Sequence, residues 1–289
     1  MRRKYGKEAL RICLQGKVRA DEGNPRMRSP WTETYSTNKT TATFAGGAIG
    51  MCRMLGIVPG EAGVVDLNVL KAFRNLAMSG CVLPKSRSGH TDGWGMVVWN
   101  NSLPEYIARE PNNAAIDPQY DVALDRMKNK PISSPLLAHL RKASSGSKRT
   151  RENTHPFLFK KWAFAHNGTI RRMNLRDRTD SQWFFHSVME RLDLSNGDVV
   201  QAIAEQVKSV REVYDYSSLT FLLSDGKSLY AYRDCSSNED YYTLYYTQVD
   251  GAIIVCQERI LDSRWEVVGN GQLLKVDAEK LQCEFLEVM

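Results

Sequence analysis

The chain has 289 residues, 42% apolar and 25% charged, proportions ordinary for a globular protein, and no apolar run reaches membrane-span length, so no transmembrane helix is predicted. The formal charge of +6 is confined to residues 1–51, which hold 10 Lys and Arg against 4 Asp and Glu. Residues 52–289 hold 29 of each, so the body of the chain has no general attraction for phosphates and no nucleic-acid partner is expected.

Residues 1–50 are rich in Arg, Lys, Thr and Asn and lack the apolar centre of a signal peptide. Three accounts of a leader over residues 1–51 are open, in this order: a start-site extension with translation beginning at Met51, a propeptide removed before Cys52, or a disordered arm. Met51 fits the first, because methionine aminopeptidase removes an initiator Met only before a small residue, and Cys52 is one. A single domain is expected over residues 52–289.

From Cys52 onward strands and helices alternate. Residues 52–58 read as a buried strand. Asp66 is placed to cap a helix over 67–79 whose Leu67, Leu70, Phe73, Leu76 and Ala77 share one face. Residues 94–100 and 104–109 read as paired strands, 135–142 and 162–166 as further strands, and 180–192 and 197–213 as helices. Asp225-Gly226 between two apolar runs predicts a hairpin over 221–230. The segment 241–288 offers three or four more strands. Helices grouped between sets of hairpin-linked strands indicate an α+β class, mainly antiparallel sheets with helices outside.

Six cysteines (13, 52, 81, 235, 256 and 283) show no C-x-x-C spacing, and the five histidines show no zinc-ligand spacing, so no metal and no cofactor are expected. Scattered free thiols suit a reducing compartment, hence a cytoplasmic location.

Six segments carry chemistry. Cys52, if it begins the working protein, joins a nucleophilic thiol to an α-amine whose pKa of roughly 7.7–8.0 makes it a usable base. By itself Cys52 reads more readily as a buried strand cysteine, and the segments downstream reverse that. His90-Thr91-Asp92-Gly93-Trp94-Gly95 enters a strand with glycines that allow close backbone approach, His90 and Asp92 supporting it. Ala138-His139-Leu140-Arg141 ends an apolar strand in a planar cation suited to a carboxylate. Glu152-Asn153-Thr154-His155-Pro156-Phe157 sets His155 before a turn, as a pocket residue or a packed structural one. Ala165-His166-Asn167-Gly168 delivers a side-chain amide beside an unhindered N–H, two donors of the kind an oxyanion hole needs; an ordinary Asn-Gly turn is the plainer alternative. Thr179-Asp180-Ser181-Gln182 opens a helix, with Thr179 or Asp180 as cap and a carboxylate able to meet an ammonium group.

In this order the segments resemble the class II glutamine amidotransferases of the N-terminal-nucleophile hydrolase superfamily, most closely the small stand-alone members without a synthase domain. The resemblance runs from Cys52 to near the C-terminus. It implies a four-layer αββα sandwich and assigns roles. Cys52 would attack the side-chain amide of glutamine or a related γ-glutamyl amide, with its own amine as base. Asn167 and the Gly168 N–H would hold the oxyanion, Arg141 the substrate carboxylate and Asp180 its ammonium, with His155 and Ser144 lining the pocket. The resemblance also admits a separate ammonia-accepting synthase subunit as partner, and leaves a homo-oligomer open. Gln182 stands where many relatives carry Glu and is expected to support the helix start. Two other readings compete: a papain-like pair of Cys52 with His155 or His166, and a non-catalytic glutamine-binding or scaffold protein with a blocked N-terminus.

Overall fold

The computed structural model describes residues 52–288 except 61, 62, 85, 129, 130, 145, 174, 176 and 177. The expected leader, residues 1–51, lies outside the described residues. In chain order the elements are β1 (Arg53–Val58), α1 (Leu67–Ser79), β2 (Trp94–Asn100), β3 (Leu103–Glu110), α2 (Pro118–Met127), β4 (Leu136–Leu140), β5 (Phe157–Phe159), β6 (Trp162–Asn167), α3 (Asp180–Leu194), α4 (Val199–Val213), β7 (Thr220–Ser224), β8 (Ser228–Tyr232), β9 (Leu244–Val249), β10 (Ala252–Cys256), β11 (Glu266–Val268), β12 (Gln272–Asp277) and β13 (Gln282–Glu287).

These strands form two antiparallel sheets, one of order β11-β9-β10-β1-β4-β2-β3 and one of order β13-β12-β8-β7-β6-β5. Alternation along each strand separates three cores. Leu55 and Ile57 of β1, with Leu136, Ala138 and Leu140 of β4, pack under α1 and α2. Phe164 of β6 and Phe221 and Leu223 of β7 pack under α3 and α4. Between the sheets lie Met54 and Val58, Val97, Leu137, Ala163, Ala165, Leu222 and Leu229. The order helix, sheet, sheet, helix is the expected αββα sandwich, and side chains on the inner faces of both sheets share one narrow gap.

Local chemistry accounts for the helices. The Asp66 side chain accepts from Asn68 N at 2.8 Å to cap α1, whose Val69, Leu70, Phe73, Leu76 and Ala77 are buried at helical spacing. Each fully buried side chain of this kind contributes roughly 1.5–3 kcal/mol. The helix α2 was not among the expected elements, although Asp117 caps it and Pro118 occupies its first turn. The tail holds five strands rather than three or four, because β11 has only three residues. In the 224–228 hairpin the Asp225 carboxylate accepts from both Lys227 N and Ser228 N at 3.1 Å.

Candidate active site

Strand parity places the polar residues. Cys52 precedes β1 in step with Met54 and Val58, which face the gap between the sheets. In β4, Leu137 faces the same gap, so His139 and, just beyond the strand, Arg141 follow it there. In β6, Ala163 and Ala165 face inward, which brings Asn167 to the gap from the opposite sheet. Four residues drawn from two sheets thus converge because each is an even number of positions from an apolar residue of the inner core.

Cys52 is held by main-chain bonds. Its N–H donates to Asn167 Oδ1 at 2.8 Å, and its carbonyl accepts from Asn167 Nδ2 at 3.0 Å. The same carbonyl accepts from Arg53 Nη1 at 2.9 Å. Arg53 is buried, ion-paired with Glu258, bonded to the Cys81 carbonyl at 2.6 Å, and stacked 4.3 Å from the centroid of the Tyr241 ring. The second hydrogen of Asn167 Nδ2 goes to Gln257 Oε1 at 3.1 Å. Burial pushes the Cys52 thiol up to about 11, against the downward pull of the Lys142 backbone and the charges of Arg141 and Arg53. At neutral pH the thiol is therefore protonated, and attack requires a base that removes its proton.

No histidine fills that role here. His166 spends Nδ1 on Ser181 Oγ at 2.8 Å and Nε2 on the Ser218 carbonyl at 3.2 Å. Neither nitrogen of His155 has a hydrogen-bond partner among the described residues, and Cys52 Sγ contacts the Lys142 carbonyl at 3.9 Å. A papain-like pairing with either histidine is not formed.

Arg141 is buried; its Nη2 donates to Ser147 Oγ at 2.7 Å and its Nη1 has no partner among the described residues. Its backbone is clamped by Arg141 N to the Gly93 carbonyl at 2.7 Å and Asp92 N to the Arg141 carbonyl at 2.9 Å. Asp92 is buried and accepts from Arg87, Arg149 and Ala143 N. Burial raises its carboxyl, but the Arg87 bond, the Ala143 N–H and the two arginine charges hold it below the usual range. His90 is buried with Nε2 3.2 Å from the Cys81 carbonyl. Both residues thus act as supports. A Cβ on Gly95 would run into the His155 carbonyl, so the two motifs meet through that glycine.

His155 stacks between His139, at 4.3 Å between centroids, and Phe157, at 4.1 Å. Among the described residues both imidazole nitrogens of His155 are buried without hydrogen-bond partners. Burial first, then the Arg141 charge, pushes His139 down to about 3; burial and the neighbouring His139 hold His155 well below the usual imidazole range. Both are neutral at physiological pH.

Asp180 follows the cap rather than forming it. Thr179 caps α3, accepting from Gln182 N at 3.2 Å while Gln182 Oε1 accepts from Thr179 N at 2.7 Å, so Gln182 supports the helix start. Asp180 Oδ2 accepts from Ile170 N at 2.8 Å and Oδ1 from Ser181 N at 2.9 Å. Each oxygen retains a further lone pair for a cation. Gly168 must lack a side chain, since a Cβ there would meet the Ser218 carbonyl. Ser144 lies half-buried in the loop after β4, and its carbonyl accepts from Ser147 N at 3.0 Å.

Sequence reasoning assigned no role to Arg53, His139, Ser147 or Gln257. His139 carried a signal, two positions before Arg141 on one strand face. Gln257 lies in a segment that meets Cys52 and Asn167 only after folding, and the contacts of Arg53 with Glu258 and Cys81 likewise form only in the fold. Among the described residues no group of three His, Cys, Asp or Glu side chains could hold a metal, and no helix is long and apolar enough to cross a membrane.

Two stacked antiparallel sheets, helices on their outer faces and a cysteine at the head of the first strand define the N-terminal-nucleophile hydrolase fold. Residues 51–248 match the family model for class-II glutamine amidotransferases, and the chain belongs to that family. Over 211 residues it is 28% identical to an uncharacterized protein of Methanocaldococcus jannaschii, an alignment spanning 67% of this chain and 54% of that protein's length. Its structure is similar, with a TM-score of 0.55 and 18% identity, to a glutamine aminotransferase class-II domain protein from Silicibacter pomeroyi, covering 82% of this chain and 99% of that one. It is similar at the same TM-score and 15% identity to glutamine phosphoribosylpyrophosphate amidotransferase from B. subtilis, covering 82% of this chain and 49% of that one. At these identities the two structures bear on the fold alone.

Proposed function

We propose that the protein, in an active form beginning at Cys52, hydrolyses the side-chain amide of glutamine or a related γ-glutamyl amide through a thioester on Cys52. The observation that carries this reading is the bond from Cys52 N to Asn167 Oδ1 at 2.8 Å. It orients the nitrogen that would serve as base on the same residue as the thiol, beside the amide that would serve the oxyanion.

The substrate α-carboxylate pairs with Arg141, whose Nη1 is buried and unpartnered, and the α-ammonium with Asp180. Anchoring the amino-acid head places the γ-carbon by distance. The Cys52 amine takes the thiol proton as sulfur adds to the amide carbon. The carbonyl oxygen becomes an oxyanion held by Asn167 and the Gly168 N–H. Collapse breaks the C–N bond, and the proton held by the amine leaves with ammonia or an amine. Water then cleaves the γ-glutamyl thioester to glutamate and regenerates the thiol. His155 and Ser144 line the pocket. Ammonia serves either solution or a separate synthase subunit.

The test is intact mass of the natively expressed protein, combined with glutamate release from glutamine, glutathione and other γ-glutamyl amides. A chain beginning at Cys52 that turns over one of these, and loses turnover in Cys52→Ala with its melting temperature kept, is the expected result. A chain that retains residues before Cys52 and still hydrolyses the substrate overturns the amine's role. Such a chain that binds glutamine without turnover is the scaffold protein instead.

A further inference from the structure

Gln257 follows β10 and its carboxamide meets Asn167, with Oε1 accepting from Asn167 Nδ2 at 3.1 Å. The residue is 2% exposed, and its Nε2 is buried with no hydrogen-bond partner among the described residues. Its orientation is dictated from outside. Asn167 Oδ1 takes the Cys52 N–H and Asn167 Nδ2 serves the Cys52 carbonyl, so the nitrogen end of Asn167 is fixed. Gln257 must therefore offer its oxygen, and its own donor is left stranded, a costly arrangement for a buried amide.

Both hydrogens of Asn167 Nδ2 are thus engaged. An oxyanion drawing on that nitrogen must displace one acceptor. The Cys52 carbonyl is main chain and is also gripped by Arg53 Nη1 at 2.9 Å. The Gln257 oxygen ends a side chain whose terminal torsion is broad and roughly two-fold. It is the acceptor that can leave.

We propose that Gln257 is a further catalytic residue: its Oε1 holds Asn167 Nδ2 in the resting site, and when the tetrahedral oxyanion forms the carboxamide turns over, so that Nε2 donates to that oxyanion alongside Asn167. The turn exchanges oxygen for nitrogen at nearly the same place. The stranded donor then finds its acceptor only when negative charge develops, which is the differential stabilisation that accelerates a step. This rests on the reading of Cys52 as the acylated nucleophile.

The test uses the protein beginning at Cys52 and the γ-aldehyde analogue of glutamine. The thiol gives its proton to the Cys52 amine and adds to the aldehyde carbon, an S–C bond forms, the carbonyl π bond opens, and the oxygen takes the oxyanion position in the hemithioacetal anion. Glutamate, which forms no tetrahedral centre, is the control ligand. In Gln257→Met and Gln257→Glu, assayed at mildly alkaline pH, aldehyde affinity is expected to fall by about 10²-fold, and glutamate affinity to stay within about two-fold. Turnover should lose kcat with KM kept. Gln257→Glu keeps the resting acceptor and its shape but, ionised, has no hydrogen to give. If that variant retains wild-type aldehyde affinity, Gln257 merely props Asn167 and the proposal is overturned. A wild-type adduct matched in both variants overturns it alone, whereas a wild-type protein that forms no adduct removes the Cys52 reading and this proposal together.

Discussion

Asn167 occupies both ends of its amide on Cys52 and Gln257, so under the proposed function its removal acts twice, on the backbone of Cys52 and on the developing charge. Asn167→Ala is expected to lower kcat by about 10²–10³ and to leave KM nearly unchanged. Arg141 has a planar fork with one arm on Ser147 and the other unpartnered. Arg141→Lys replaces that fork with a point charge and is expected to raise KM for glutamine by about tenfold, a loss on the order of 1.4 kcal/mol. Unchanged KM in that variant would remove Arg141 from the carboxylate. Cys52, Asn167 and Arg141 were legible in the sequence because each ends or begins an apolar strand, where a polar residue stands out. Gln257 and Arg53 were not, because neither pattern nor spacing reveals that Gln257 meets Asn167, 90 residues away, or that Arg53 meets Glu258, 205 residues away.

At the scale of elements, α1, β2 and the start of α3 matched their sequence expectations because each has a local signal: a cap, a short apolar run, or a capping box. The helix α2 carried such a signal at Asp117-Pro118, but its apolar positions are few, and only Tyr120, Ala123, Leu124 and Met127 are buried. Three-residue β5 and β11 are too short to show a period and exist because neighbouring strands supply their partners. The start of α3 links structure to chemistry, since the Thr179–Gln182 pair aims Asp180 at Ile170 N. Thr179→Ala is expected to cost about 1 kcal/mol of stability and to raise KM, read by denaturant unfolding and steady-state kinetics on one preparation. Lost stability with unchanged KM would separate Asp180 from the ammonium.

Over the whole molecule, three histidines are buried near the site, and burial lowers the affinity of each for a proton. In the unfolded chain they take up protons near pH 6.5. Below that pH the unfolded state binds more protons than the folded one, so stability is full above about 6.5 and falls as pH drops, each histidine contributing up to about 1.4 kcal/mol per pH unit. His139, held neutral down to about 3, should continue to contribute through that range. The urea midpoint should decline between about pH 7 and 5, and His139→Phe should flatten the decline by one proton's worth; a midpoint indifferent to pH would contradict the neutral cluster. The depth of Cys52 has a practical corollary for chemical labelling. Of the five described cysteines, Cys81 and Cys283 are exposed while Cys52, Cys235 and Cys256 are buried. An alkylating reagent applied to the resting protein will mark the two surface sulfurs first, so early adduct counts say nothing about how many molecules are competent, and titration of working centres calls for a reagent shaped like the substrate.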